Sequence, residues 1–115
     1  MRDKRIILER NTIIEQHICN AIKTRHKIKF RYDDELNYRT FEPYIIYKST
    51  RQNYLVYGIQ THDSSKPLQG NVPRNFEIYY IQSLSTLDEL FSPDVQFRSA
   101  SFENNFGIVC AIDRV

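Results

Sequence analysis

The sequence contains no tryptophan, only three glycines and only two cysteines. Three isolated glycines cannot build a phosphate-cradling loop, and two distant cysteines do not supply the ligands of a zinc site. The charged N-terminus is followed only by Ile6-Ile7-Leu8, which is too short for a signal peptide or a membrane span. We therefore predict a cytoplasmic protein that needs no cofactor or metal, with Cys19 and Cys110 as buried, reduced thiols.

The sequence also lacks a strong charge of one sign, since its net charge is only +2. The charge is unevenly distributed: residues 1–60 hold 12 Lys and Arg against 7 Asp and Glu, whereas residues 61–115 hold 4 against 7. A basic face is therefore possible without a basic protein. What is abundant is aromatic, with 8 Tyr and 7 Phe, and these residues favour half-buried strands.

The first regular element is predicted to be a helix. Thr12 and Glu15 form the Thr-x-x-Glu pattern of a capping box, with Thr12 as the N-cap. Apolar residues then recur at helical spacing, which predicts a helix of about 12 residues. These residues are Ile13, Ile14, Ile18, Ala21 and Ile22.

The spacing of apolar residues changes at Lys27 from a helical period of 3.6 to a strand period of 2, which predicts a strand from residue 27 to residue 32. Further strands are predicted over residues 38–48, with a bend or exposure at Pro43, then over 53–61 and 74–82. A long loop is predicted over 62–73, a helical turn or strand end over 85–91, and a closing or swapped strand near 108–112. The expected class is α+β and mostly β, an N-terminal helix followed by a small antiparallel barrel or strongly bent sheet.

Catalytic chemistry is not indicated by any local pattern. His17, His26 and His62 are scattered, and no activated nucleophile or metal-ligand spacing can be recognised. The acidic run Asp33-Asp34-Glu35 is predicted to be a turn between two strands, because aspartate favours turns and three consecutive carboxylates splay apart. We therefore do not expect an enzyme.

Arginines and aromatic residues recur together along the predicted strands. Arg39 follows Tyr38, Arg51 precedes Tyr54, and Arg74 precedes Phe76, Tyr79 and Tyr80. Arginine can hold phosphate in bidentate fashion, and aromatic rings can stack on bases, so this set would suit a nucleotide or single-stranded nucleic acid. The alternative is that tyrosines fill the sheet and arginines solvate its rim. Lys27, Lys29 and Arg31 alternate along the first predicted strand and allow two interpretations. They form either a solvated face of the strand or a row of cations that contacts phosphates.

A set of spaced residues resembles the WYL domain family over roughly residues 15 to 91. The matching blocks are Ala21-Ile22-x-x-Arg25-x-x-Ile28-x-Phe30-x-Tyr32, then Arg39-x-x-x-Pro43-Tyr44, then Tyr54-Leu55, and finally Arg74-x-Phe76-x-Ile78-x-x-Ile81-x-x-Leu84. The resemblance implies an Sm-like β-barrel that senses ligands in bacterial transcription regulators, in DNA-damage responses or in phage defence. It implies one domain over residues 1–115, with a core at about 12–91 and an extension at 92–115.

The resemblance also implies a ligand site. Arg39 and Arg74 would hold phosphate, Tyr32 and Tyr54 would stack or donate a hydrogen bond, and Arg51 and Tyr80 complete the candidate set. Two positions depart from the family pattern. Asn53 stands where the family has its tryptophan, and Tyr80 stands where a second arginine is usual, which weakens a phosphate site.

The partners expected from these patterns are a nucleotide or a single-stranded nucleic acid, without a membrane. About 26 residues precede the first predicted strand, enough for one helix but not for a winged helix. We therefore expect the chain to act as a sensor or adaptor, with a regulator protein, or as part of a longer regulator. An alternative is a protein-interaction module that forms a homodimer through a sheet edge or the apolar C-terminal region.

Overall fold

The structure is a computed structural model that describes residues 9–102 and 107–114. The predictions made for the charged N-terminus and for residues 6–8 therefore lie outside the described residues. Helix α1 spans Thr12–Thr24 and is followed by six strands and two short 3-10 helices. The strands are β1 His26–Tyr32, β2 Arg39–Lys48, β3 Tyr54–Asp63, β4 Val72–Glu77, β5 Ile81–Leu90 and β6 Ile108–Ala111, and the 3-10 helices are Ile78–Tyr80 and Ser99–Phe102.

Helix α1 begins one residue earlier than the capping pattern predicts. Asn11 is the N-cap, and its side-chain oxygen accepts a hydrogen bond of 3.1 Å from the backbone N–H of Ile14. The prediction of Thr12 as the cap was therefore wrong, although the helix itself is confirmed. Glu15 does not fold back on Thr12, because it is buried and paired with Arg10 at 2.8 Å.

Strand β2 is the central strand of a fully antiparallel sheet with the order β4-β3-β2-β1-β5. Its first part pairs with β1 at Arg39, Thr40 and Phe41, and its second part pairs with β6. Between these parts lies Pro43, which has no backbone donor, and the β2–β3 register shifts just after it. The class predicted from the sequence, α+β and mostly β, is confirmed.

The predicted barrel is not confirmed. Among the described residues, β4 and β5 form no ladder with each other, so the six-stranded sheet is not closed. The strand predicted over 74–82 is divided, because Ile78–Tyr80 forms a 3-10 helix between β4 and β5. Ile78 and Ile81 are both buried, and their separation of three residues fits one turn of a 3-10 helix. Residues 85–90, considered as a helical turn or strand end, belong to β5.

The core contains a cluster of phenylalanine rings in edge-to-face contact. Phe76 of β4 lies 5.1 Å from Phe30 of β1 and 5.3 Å from Phe41 of β2, measured between ring centroids. Ile18 and Ile22 of α1 belong to the same buried core. No helix in the described parts of the chain has the length and apolar character needed to cross a membrane.

The two cysteines are joined rather than reduced. Cys19 of α1 and Cys110 of β6 form a disulfide bond that spans 91 residues of sequence. The prediction of two free thiols was therefore wrong, because the sequence gives no sign that the last strand lies beside the helix. Disulfides are uncommon in cytosolic proteins, so the cysteines no longer support a cytoplasmic location, which stays a prediction.

Candidate anion-binding site

Two of the predicted arginines lie on one face of the sheet. Arg74 and Phe76 are two residues apart on β4 and therefore point to the same side. The guanidinium carbon of Arg39, from β2, lies 5.3 Å from the centroid of the Phe76 ring. The sheet thus places Arg39 and Arg74 on the same face as Phe76, and we call Arg39 and Arg74 the arginine site.

Arg39 is held by three polar side chains. Its Nη1 donates to Gln60 at 2.7 Å and lies 3.5 Å from a carboxylate oxygen of Asp63, while its Nη2 donates to Glu35 at 2.9 Å. The side chain is only 11% exposed. Its third nitrogen, Nε, is buried and has no hydrogen-bond partner among the described residues. The contacts of Nη1 and Nη2 therefore hold the guanidinium in place and leave the Nε–H group available.

Arg74 is less constrained than Arg39. Its Nε is also buried without a hydrogen-bond partner, and Arg74 forms no ion pair with any residue of 9–102 or 107–114. It stands opposite Gly58 in the β3–β4 ladder, where no side chain from β3 covers it. Within the described part of the chain, Arg74 is the cation of the site whose charge is not balanced by a carboxylate.

Two of the predicted tyrosines join this cluster. The ring of Tyr32 lies 4.8 Å from Phe76 and 6.0 Å from Tyr80, and its hydroxyl accepts a hydrogen bond from the backbone N–H of Glu77 at 3.1 Å. Tyr32 and Tyr80 are both half-buried. The structure therefore brings together Tyr32, Arg39, Arg74 and Tyr80 from four different parts of the sequence.

The other two predicted residues lie elsewhere. Arg51 is exposed in the turn between β2 and β3, and Tyr54 begins β3, where Arg10 lies 4.1 Å from its ring centroid. Along β3, Tyr54 is nine residues from Asp63, the partner of Arg39, and four residues from Gly58, the partner of Arg74. These separations correspond to about 30 Å and about 13 Å. The structure therefore does not bring Arg51 and Tyr54 to the arginine site.

Several residues of the site were missed by the sequence reasoning. Gln60 is buried, accepts from Arg39 and donates to Gln69 at 3.3 Å. Asp63 is buried at the end of β3 and accepts from Asn37 and Ser65. A sequence signal was available for Gln60, which continues the buried alternation of Val56 and Gly58 on β3, but not for Asp63, which falls outside that alternation.

Asp63 carries a strongly shifted pKa. Burial by itself raises the pKa of this carboxyl, but hydrogen bonds from Ser65 and Asn37 and the charge of Arg39 outweigh it and lower the pKa to about 2. The carboxylate is therefore ionised throughout the physiological range. It fixes the loop after β3 through Ser65 and supports the position of the Arg39 guanidinium.

The alternating basic residues of β1 have close neighbours. Lys27 pairs with Glu89 at 2.7 Å and lies 3.7 Å from Glu42, while Lys29 lies over the ring of Tyr38 at 4.9 Å. Arg31 donates through Nε to the backbone oxygen of Glu35 at 2.8 Å. These contacts lie within the sheet and its first turn. They favour a local structural role for Lys27, Lys29 and Arg31 over binding along a phosphate backbone.

The remaining candidate positions have structural explanations. Asp33 and Asp34 lie in a turn with φ of 53° and 62°, as predicted for the acidic run. No group of three possible metal ligands occurs among the described residues. Asn53, at the position of the family's tryptophan, is buried, and its backbone oxygen accepts from the N–H of Ser49 at 2.8 Å in the β2–β3 turn.

Comparison with known proteins gives a structural match without a sequence match. No family model matches the chain, and no curated protein matches it. The solved structure of proteasome accessory factor B/C (PafBC) of Arthrobacter aurescens matches 82% of this chain with a TM-score of 0.59 and 18% sequence identity. The chain shares its fold with a segment of PafBC. That segment makes up only 14% of the PafBC chain, so the likeness concerns one part of a much longer protein.

Proposed function

We propose that this chain is a regulatory module of the WYL type that senses a nucleotide or a short single-stranded nucleic acid at the arginine site. The observation that carries the proposal is that the Nε–H groups of Arg39 and Arg74, on one face of the sheet, are buried and have no hydrogen-bond partner within residues 9–102 and 107–114. The fold likeness to PafBC, a WYL-domain-containing regulator, supports a regulatory role. A bacterial transcription, DNA-damage or defence system would be the setting.

An anion at this site would relieve an energetic penalty. A buried donor without a hydrogen bond costs about 1–3 kcal/mol, and each of the two arginines carries such a donor. A phosphate group whose oxygens accept from these Nε–H groups would recover this energy through charge-assisted hydrogen bonds. The unpartnered donors therefore favour a bound anion over a purely structural role for the two arginines.

The aromatic residues beside the arginines extend this argument to the rest of the ligand. Tyr32 and Tyr80 are half-buried next to Phe76, so their exposed parts border the arginine site. Stacking of a base on an aromatic side chain contributes about 1–3 kcal/mol. A ligand that combines a phosphate with a planar base would use both kinds of contact.

The charge balance limits how many phosphates the site would hold. Asp63 and Glu35 lie close to Arg39 and neutralise it, which leaves Arg74 as the main source of positive charge. When the logarithm of the binding constant is plotted against the logarithm of the salt concentration, each neutralised phosphate contributes close to one unit to the slope. We therefore expect a shallow slope, as for a ligand held through one or two phosphates.

The test compares three arginine variants in a binding titration with short single-stranded DNA, RNA and cyclic nucleotides. Arg39→Ala and Arg74→Ala should each weaken binding at least about tenfold, the loss of one charge-assisted contact. Arg74→Lys should restore it only in part, because lysine keeps the charge but lacks the Nε–H fork. Arg51→Ala is the matched control and should bind like the parent, and equal binding by Arg74→Ala and the parent would refute the site.

A second candidate is an interaction module, which is favoured by two exposed leucines. Leu36 is 86% exposed and Leu68 is 99% exposed, in the loops after β1 and β3. These loops are joined by hydrogen bonds between Tyr38 and Ser64. Replacing both leucines with serine and measuring the mass in solution tests this function. A parent dimer that the double variant converts to a monomer would support it, and a monomeric parent would count against self-association.

A further inference from the structure

The disulfide bond fastens the last strand of the sheet to the first helix. Strand β6 has four residues and pairs with β2 at only three positions, Ile45, Ile46 and Tyr47, with a register shift inside this short ladder. Two flanking hydrogen bonds of 2.8 Å extend this ladder, from Lys48 N–H to Gly107 and from Ile112 N–H to Tyr44, and Ala111 and Ile112 belong to the buried core. The ladder itself is short, so the packing of these two side chains and the disulfide bond hold β6 in place.

The rest of the sheet is built without β6. On its other side, β2 pairs with β3 at nine positions, and β1 pairs with β2 at Arg39 to Phe41, away from the residues that contact β6. Loss of β6 would therefore leave the order β4-β3-β2-β1-β5 intact. It would uncover the edge of β2 at residues 45–47 and the neighbouring apolar surface.

The disulfide is not fully enclosed by the fold. Cys19 and Cys110 are both half-buried residues that pack against the core. Exposed disulfides are the ones that thiols attack readily, and disulfides in reducing compartments are usually redox-sensing rather than permanent. The position of the bond thus combines accessibility with control over one weakly paired strand.

We propose that the Cys19–Cys110 disulfide is a redox latch, which holds β6 on the sheet when oxidised and releases it when reduced. The reductant is a dithiol protein of the thioredoxin class. One of its thiolates attacks a sulfur of the Cys19–Cys110 bond and forms a mixed disulfide, and its second thiol resolves this intermediate. The two cysteines gain two electrons and two protons, and the dithiol is oxidised to a disulfide.

Hydrogen exchange of individual amides in the oxidised and the reduced protein tests the latch. The amides of Lys48 and Ile112, which bond across the β2–β6 junction, should exchange about 30- to 1,000-fold faster after reduction, the range that corresponds to the usual stabilisation by one disulfide. The amides of Asp33 and Phe91, which bond outside this junction to Tyr80 and Arg25, serve as the control and should stay protected. The double variant with Cys19→Ala and Cys110→Ala should behave like the reduced protein.

Three results would overturn the latch. Equal protection of the β6 amides and the control amides in the reduced protein would show that the bond does not control β6. Complete unfolding on reduction would show that the bond stabilises the whole fold rather than β6 alone. A disulfide that stays intact in glutathione buffers poised at reducing ratios, with thioredoxin added, would show that the bond is not accessible to reduction. None of these results depends on ligand binding at the arginine site.

Discussion

Gly58 lies where the central strands approach each other most closely. A Cβ atom at this position would overlap the backbone oxygen of Glu42 and lie 2.8 Å from Cζ of Phe41. Neither neighbour can move freely, since Glu42 contributes backbone of β2 and the Phe41 side chain is fully buried. The absence of a side chain at Gly58 also keeps β3 clear of Arg74, the residue opposite it.

Gly58→Ala should therefore lower the free energy of unfolding by about 1–3 kcal/mol, as overpacking in a core usually does. Gly70→Ala is the matched control, because nothing lies within 4 Å of a Cβ at Gly70. It should change stability by less than about 0.5 kcal/mol. Urea denaturation of both variants measures the difference, and similar stabilities would contradict the close approach.

Asp63 makes the stability of the protein depend on pH. Its pKa is about 2 in the folded protein, against 3.8 for an unperturbed aspartate. Because the folded state holds the proton less tightly, the stabilisation is present above pH 4 and is lost as the pH falls towards 2. The difference in pKa corresponds to about 2 kcal/mol.

Asp63→Asn should remove this part of the acid sensitivity. Between pH 5 and pH 2, the parent should lose about 2 kcal/mol more stability than the variant. Denaturation curves at several pH values measure this difference. Parallel losses in the two proteins would show that Asp63 does not titrate with the shifted pKa.

At the scale of the element, α1 depends on Asn11 rather than on the residue that the capping pattern indicates. Asn11→Ala should destabilise the protein by about 1 kcal/mol, because the N–H of Ile14 loses its side-chain acceptor. Thr12→Ala is the control and should have a much smaller effect, since Thr12 is the first residue inside the helix and exposed. Thermal unfolding followed by circular dichroism would rank the two variants, and the opposite ranking would restore Thr12 as the cap.

The elements that could be predicted are those with a clear period. Helix α1 and strand β1 follow from the change of period between Ile22 and Ile28, and β2 and β3 were predicted to within about two residues of their bounds. The division between β4 and β5 was not predicted, because Arg74, Phe76, Ile78 and Tyr80 alternate as they would in one continuous strand. The spacing of three between Ile78 and Ile81 is the sequence feature that fits the 3-10 turn instead. The Cys19–Cys110 bond escaped prediction because it depends on the position of β6, a contact across 91 residues.

At the scale of the whole molecule, the candidate site was predicted in part. Sequence reasoning and the resemblance to the WYL family indicated Tyr32, Arg39, Arg74 and Tyr80, which the fold brings around Phe76. They also indicated Arg51 and Tyr54, because the spacing of residues in a sequence does not show which of them lie close together in the fold. The β2–β3 register reveals that these two residues lie at the turn end of the hairpin, whereas Arg39 lies at its open end.

The central claim is that the buried Nε–H groups of Arg39 and Arg74 are the donors that receive an anionic ligand. NMR spectra that resolve arginine Nε–H signals test it most directly, recorded while single-stranded DNA, RNA or a cyclic nucleotide is added. With at least one of these ligands, the signals of Arg39 and Arg74 should shift and their exchange with water should slow, while the Arg51 signal should stay unchanged. Binding that leaves both signals in place, or no binding by any of the three ligands, would contradict the account.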